Sequence, residues 1–350
     1  MNQEMHEGEG TNEELPKASS SADPPQTLES TAKLDSPQSP HSTPRAVDHP
    51  LTKMFFGADG LRPIWRVLIY LAMVRVLYVL LSAALNFIEE SDARFLWIAM
   101  ASEFVLMVAA TVPALVMARL ERRSPDEYGL PVRKAFGKLF WNGVLWGLTA
   151  LGVLMLALHG GHGFTLGKLA LHGFRIIKFA AFWGVFFLIV AFAEEFLLRG
   201  YSLFTLSQAI GFWPAAVLLS IAFGAIHQLN PGEAWNGLVA ASCIGLFFCL
   251  TLRRTGSLWF AVGFHAAWDW GESYLYSVPD SGGVSPGHLF KSSLHGPNWL
   301  TGGSVGPEGS ALIFVLLIVL WVVFDRAYPK VKYNPARPPI RILASEDLVE

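Results

Sequence analysis

Charged residues are scarce in this chain. Asp, Glu, Lys and Arg make up 15% of its 350 residues, against roughly 25% in soluble globular proteins. The formal net charge is −2, and no basic stripe exceeds the Lys and Arg expected at membrane edges, so we predict no nucleic-acid binding. The two cysteines, Cys243 and Cys249, share one apolar run, and we interpret them as small apolar filler rather than a disulfide.

The first 50 residues lack aromatic side chains and are rich in Ser, Pro, Thr, Glu and Asp. Such a segment buries too little apolar surface to offset the entropy of ordering, so residues 1–50 are predicted to be a disordered tail. It also lacks the basic start and apolar core of a signal peptide.

Apolar residues dominate the remainder, because 52% of the chain is hydrophobic and long runs are uninterrupted by charge. A bilayer core of about 30 Å is crossed by about 20 mostly apolar residues. The sequence therefore predicts an all-α, polytopic transmembrane helical bundle over residues 51–330, with a cytoplasmic tail at 331–350. We expect about eight spans, at about 65–87, 95–118, 139–158, 177–208, 212–229, 235–252, 257–273 and 309–326.

The charged loops predict an orientation. The loop at 119–138 and the segments after the sixth and eighth spans are basic, whereas the loop after the first span, "IEESDAR", is acidic. An even number of spans with both termini cytoplasmic satisfies the positive-inside rule, with Arg175 and Lys178 as the exception. We expect the plasma membrane of a prokaryote, with a polar outer loop at about 274–308 acting as a cover or connector.

Ionisable residues interrupt the apolar segments at three places in the second half of the chain. Each Asp, Glu or Arg at the bilayer centre costs about 2.5–3.5 kcal/mol, so such residues indicate function by default. The places are "AFAEEFLLRG", "FGAIH" and "HAAWDW", which contain Glu194, Glu195, Arg199, His227, His265 and Asp269.

Helical spacing separates the two glutamates. Glu195 and Arg199 are four residues apart, so they share a helix face and can neutralise each other. Glu194 lies about 100° round the helix from Glu195 and is predicted to face elsewhere, without a partner at helical spacing. His265 and Asp269 are also four apart, so the acid can orient the imidazole or share its cavity.

The rise of a helix per residue gives the depth of each charged motif, and this depth tests whether the three motifs can lie close together. If the fourth span continues through its charges to about Gln208, Glu194 stands about 21 Å above the end of that helix. His227 stands about 20–23 Å up the next helix, and His265 about 15–17 Å above the basic end of the sixth span. The three side chains are therefore predicted to share one layer within the membrane.

A buried glutamate with two histidines suits the activation of water. A desolvated carboxylate is a competent general base. Neutral imidazoles can share the proton, donate to an oxyanion or bind a metal. Hydrolysis of a peptide bond within the bilayer needs such a pocket.

The three motifs together resemble a known family. "EEFLLR" at Glu194–Arg199, "FGAIH" at Phe223–His227 and "HAAWD" at His265–Asp269 follow the order of the CAAX protease and bacteriocin-processing (CPBP, or ABI) intramembrane proteases, which include type II CAAX prenyl endopeptidases. The resemblance covers about 175–270, which we take as the catalytic core.

The resemblance implies endopeptidase activity on a membrane-associated protein or peptide. In eukaryotic members the substrate is a prenylated protein that loses its last three residues. Glu194 would be the base that activates water, and His227 would assist that water. His265 with Asp269 would hold the tetrahedral oxyanion or position the scissile carbonyl. At the position of Asp269 many members carry Asn, which is a better oxyanion donor than an ionised Asp.

The resemblance implies supporting roles for the other motif residues. Purely structural roles also remain open for several of them. Glu195 and Arg199 would support the site, and Phe223 would pack in its wall. Polar pairs also simply hold helices together. We assign no catalytic role to three residues near helix ends, namely Asn230, Trp268 and Glu233.

Two alternatives remain open at this stage. A zinc ion held by Glu194, His227 and His265 would match some catalytic ligand sets, but no His-Glu-x-x-His helix occurs, and we favour a glutamate-dependent mechanism without a required cofactor. The protein could otherwise be a non-catalytic membrane scaffold or immunity protein, or an ion- or proton-coupled transporter.

Overall fold

The structure is a computed structural model that describes residues 50–57, 60–85 and 95–335. The predicted N-terminal tail, apart from Pro50, lies outside the described residues. So do the whole acidic loop at 88–94 and the C-terminal tail from residue 336 onward.

The described chain is mostly helical, as predicted. Its α-helices are α1 (Pro50–Phe55), α2 (Pro63–Leu85), α3 (Phe95–Leu120), α4 (Lys138–Gly160), α5 (Phe174–Glu195), α6 (Leu203–Ile210), α7 (Phe212–His227), α8 (Trp235–Thr255), α9 (Trp259–Trp270), α10 (Asn298–Thr301) and α11 (Ala311–Ala327). Short 3-10 helices occur at Pro125–Tyr128, Val132–Lys134 and Pro307–Gly309, and π-helical segments at Phe196–Ser202 and Gly271–Tyr276. Two antiparallel pairs of two-residue strands complete the list, β1 (Phe56–Gly57) with β2 (Gly60–Leu61), and β3 (Phe164–Thr165) with β4 (Ser293–Leu294).

Each predicted span coincides with an apolar helix. Within the described residues, five helical stretches are long and apolar enough to cross a membrane: Pro63–Leu85, Leu96–Leu120, Lys138–Gly160, Phe174–Ile210 and Trp235–Thr255. Helices α7, α9 and α11 have 16, 12 and 17 residues. The prediction of about eight spans is roughly compatible with this, since five of the predicted spans are long apolar helices and the other three coincide with the shorter helices α7, α9 and α11.

The charged motif lies at the end of α5, where the helix changes its winding. The helical stretch from Phe174 to Ile210 spans 37 residues, so the prediction of a long helix that passes the charges to about Gln208 is confirmed. The π-helical segment carries non-helical backbone at Gly200 (φ −80°, ψ −113°). Single π-turns inside helices are frequent at functional sites.

Helix α9 is held against α4 by close backbone contact. A Cβ atom on Gly143 would collide with the carbonyl oxygen of Phe260, and one on Gly263 would collide with that of Phe140. A Cβ on Gly147 would lie 2.5 Å from the carbonyl oxygen of Phe264. Small residues allow such approach between membrane helices, and here they fix the helix that carries His265 and Asp269.

The connection from residue 277 to 310 is bound to the helices at several points. Strand β4 pairs with β3, and the Leu169–Phe290 bridge extends that contact. The indole of Trp183 on α5 donates to the carbonyl of Pro286 at 3.1 Å. This connection therefore packs on α5 and contributes to the cavity described next.

Candidate active site

A cavity of about 200 Å³ opens between the helices that carry the three motifs. Glu194 at the end of α5, His227 at the end of α7, and His265 and Asp269 on α9 all line it, and so does Phe223. The structure thus brings the four predicted catalytic side chains and Phe223 to one place.

Glu195 and Arg199 form the predicted ion pair. Nη1 of Arg199 lies 3.1 Å from Oε1 of Glu195, and both side chains are fully buried. The same oxygen lies 3.1 Å from Nδ1 of His265. Because a carboxylate oxygen only accepts, Nδ1 of His265 donates, and Glu195 fixes the orientation of that ring.

The other nitrogen of His265 faces two further carboxylates. Nε2 lies 3.7 Å from Oε2 of Glu194 and 3.4 Å from Oδ2 of Asp269. The ring also stacks on Phe248 with centroids 5.6 Å apart. Glu194 lines the cavity while Arg199 does not, and its nearest charged neighbour is His265 on another helix, which agrees with the prediction that Glu194 has no partner at helical spacing.

His227 is oriented by its own helix. Its Nδ1 lies 2.8 Å from the carbonyl oxygen of Phe223. A carbonyl oxygen only accepts, so Nδ1 donates, which leaves Nε2 as the ring nitrogen that can accept a hydrogen bond when the ring carries one proton. The Phe223 ring packs against His227 with centroids 4.5 Å apart, and the guanidinium of Arg199 lies over that ring at 4.3 Å.

The comparison with protein families agrees with this geometry. Residues 176–271 match the family model "Type II CAAX prenyl endopeptidase Rce1-like". Over this segment the chain is similar to that family. A search of curated proteins finds no match to the chain. The match confirms the predicted resemblance and spans all three motifs, from the first turn of α5 to the residue after α9.

The cavity also includes two acids that the sequence analysis did not identify, Asp280 and Glu308. Both come from the outer loop, which the sequence analysis interpreted as a cover or connector. Trp268, to which no role was assigned, donates its indole N–H to Oε1 of Glu308 at 2.9 Å. Neither acid lies in an apolar run or at helical spacing from α9, so no local signal could have marked them.

Glu103 on α3 and Asn230 after α7 also line the cavity. Glu103 interrupts an apolar span, so the rule that singled out Glu194 applies to it equally. It lies within reach of the charge of Glu194. The signal for Glu103 was therefore present in the sequence, whereas Asn230 is an ordinary residue of a polar turn.

The three residues of the zinc alternative are not the compact group of possible metal ligands that the structure shows. Among the described residues, the group of three whose ligand atoms all lie within 4.8 Å of one another is Asp269, Asp280 and Glu308, which is not the set Glu194, His227 and His265. Burial raises the pKa of the Asp280 carboxyl well above its ordinary range, and the neighbouring Asp269 and Glu308 add to that rise.

Proposed function

We propose that the protein is an intramembrane endopeptidase that hydrolyses a peptide bond in a membrane-associated protein or peptide, with prenylated CAAX-type substrates preferred. The observation that carries this proposal is the convergence of Glu194, His227, His265 and Asp269, from three helices, on one cavity lined by the Rce1-like segment. The family description supports the preference for a prenylated substrate.

In the proposed mechanism, Glu194 accepts a proton from water while the water oxygen attacks the scissile carbonyl carbon. His227 assists through Nε2, which accepts a hydrogen bond from the same water. The protonated Glu194 then gives its proton to the leaving amine as the carbon–nitrogen bond breaks. Glu194 thus acts first as general base and then as general acid.

His265 is the proposed donor to the oxyanion. The carboxylates of Glu194, Glu195 and Asp269 surround its ring, which stabilises an imidazolium. With Nδ1 held by Glu195, the Nε2–H is left to donate to the tetrahedral oxygen. Asp269 keeps that nitrogen directed into the cavity.

The test is a cleavage assay on the purified chain in bilayer vesicles, with a prenylated CAAX peptide and a membrane peptide without the lipid. We expect Glu194→Gln and His227→Ala each to lower the rate about 100-fold or more, because general base catalysis typically contributes that much. The matched control is Asp126→Asn, an exposed carboxylate in the loop after α3, which should leave the rate unchanged.

The alternatives predict different outcomes. Undiminished cleavage by a stably inserted Glu194→Gln variant would overturn the proposed mechanism. If neither peptide is cleaved by the wild type while physiological function survives in that variant, a scaffold or immunity protein is supported instead. Loss of cleavage in chelator, restored by one equivalent of zinc, would replace the glutamate-dependent mechanism with a metal-dependent one.

A further inference from the structure

Three carboxylates converge beside the candidate active site from distant parts of the chain. Asp269 lies on α9, Asp280 follows the π-helical segment, and Glu308 precedes α11. One oxygen from each lies within 4.8 Å of the others. Only Asp269 belongs to the motifs that imply catalysis, so the proposed mechanism does not account for the other two.

The cavity holds more acidic than basic groups. Among the described residues that line it, five are acids, namely Glu103, Glu194, Asp269, Asp280 and Glu308, while the basic ones are His227 and His265, with no Lys or Arg. Carboxylates that share a poorly hydrated space repel one another, so they must share protons or bind a cation.

A second observation points to a ligand. Glu272, three residues after Asp269, is fully buried, and its carboxylate oxygens have no hydrogen-bond partner within 3.5 Å among the described residues, since the nearby Trp268 indole N–H, which also acts on Glu272, donates to Glu308. Its strongest charge interactions are with Glu308, Asp280 and Asp269. A fourth acid therefore adds negative charge to the same cluster, and among the described residues no Lys or Arg forms an ion pair with Glu272 within 4.0 Å.

The neighbouring donors hold these carboxylates in place. Oε1 of Glu308 accepts from Trp268, while its Oε2 accepts from the Ser281 hydroxyl at 2.7 Å. Oδ2 of Asp280 accepts from the Ser273 hydroxyl at 3.0 Å. Carboxylates held by such hydrogen bonds are typical of preorganised metal ligands rather than of solvent-exposed acids.

We propose that Asp269, Asp280 and Glu308 bind a hard divalent cation such as Ca²⁺, with Glu272 as an additional negative charge behind them. The donors are all carboxylate oxygens, which Ca²⁺, Mg²⁺ and Mn²⁺ prefer, whereas Zn²⁺ favours nitrogen and sulfur. Because the ligands come from α9 and from both ends of the 277–310 connection, the cation fastens that connection to the catalytic helix. Asp269 also faces Nε2 of His265 at 3.4 Å, so the cation would place a positive charge next to the candidate active site.

The experiment uses the full chain in detergent after treatment with chelator. We expect added Ca²⁺ to raise the temperature of thermal unfolding, with about one ion bound per chain by elemental analysis. Asp280→Asn and Glu308→Gln should each weaken binding about tenfold or more. The matched control Asp126→Asn, an exposed carboxylate outside the cavity, should bind as the wild type does.

A luminescence measurement covers the case in which a ligand variant fails to fold. Tb³⁺ replaces Ca²⁺ in oxygen sites, and Trp268 lies close enough to sensitise it, since its indole is bonded to Glu308. We expect Tb³⁺ emission on Trp excitation that Ca²⁺ displaces and that Trp268→Phe strongly reduces. No bound ion at about 1 mM Ca²⁺, or binding that survives both ligand variants, would overturn the proposal. None of these readouts requires peptidase activity, so the proposed function can fail separately.

Discussion

Oε1 of Glu195 accepts the Nδ1 proton of His265 across 3.1 Å. The same oxygen also accepts from Nη1 of Arg199, at 3.1 Å. One buried carboxylate thus connects the ion pair at the end of α5 to the histidine on α9. We infer that Glu195 acts on the chemistry through His265, as a positioning residue.

Glu195→Gln should lower kcat about tenfold or more, with KM changed by less than about twofold. The amide retains an acceptor but loses the charge that orients and stabilises the His265 ring. Steady-state cleavage kinetics in vesicles measure this split. Glu127→Gln is the matched control, since Glu127 also pairs with an arginine four residues away, at 3.1 Å from Arg123, but outside the cavity. A rise in KM with kcat retained would contradict a positioning role.

Arg199→Met should destabilise the protein by about 3–5 kcal/mol, because the fully buried Glu195 carboxylate then lacks the guanidinium with which it forms its ion pair. The comparison is again Glu127→Gln, whose pair is partly exposed and should cost about 1 kcal/mol or less. Unfolding in mixed micelles measures both. Equal costs for the two variants would show that burial does not set the strength of the Glu195–Arg199 pair.

Helical periodicity was sufficient to predict much of the candidate site. Spacing of four residues predicted the Glu195–Arg199 pair, and the count of helical rise anticipated that Glu194, His227 and His265 would lie near one another. These inferences worked because positions on a regular helix depend on sequence separation alone. Glu103 could have been found by the same membrane rule and was overlooked.

Other features depend on contacts between distant segments. Asp280 and Glu308 reach the cavity because the 277–310 connection folds back on α5 and α9, which no local pattern encodes. The π-helical turn after Glu195 also has no distinctive sequence, although Gly200 permits its unusual backbone.

Gly147→Leu should destabilise the protein by about 2 kcal/mol or more and lower cleavage with it. A side chain here would push α9 away, since even a Cβ meets the backbone of Phe264. Gly152 on the same helix is the control, because a Cβ there has only the Tyr276 hydroxyl at 3.6 Å. The unfolding temperature and the cleavage rate of Gly147→Leu and Gly152→Leu give the comparison. Equal stability of the two would show that the close α4–α9 contact is not needed.

Asp269→Asn should separate the two roles proposed for this residue. The amide keeps the shape of the side chain and can donate to an oxyanion. Many members of the family that the sequence resembles carry Asn at this position. Cleavage should therefore stay within about threefold of the wild type, while Ca²⁺ binding should weaken about tenfold or more because a charged ligand is lost.

Asp269→Ala is the companion variant, because it removes both the charge and the donor near Nε2 of His265. It should lower cleavage about tenfold or more as well as weakening Ca²⁺ binding. If Asp269→Asn abolishes cleavage as completely as Asp269→Ala, the carboxylate itself takes part in the reaction. If both variants bind Ca²⁺ like the wild type, Asp269 is not a ligand, and the acids of the 277–310 connection serve another purpose.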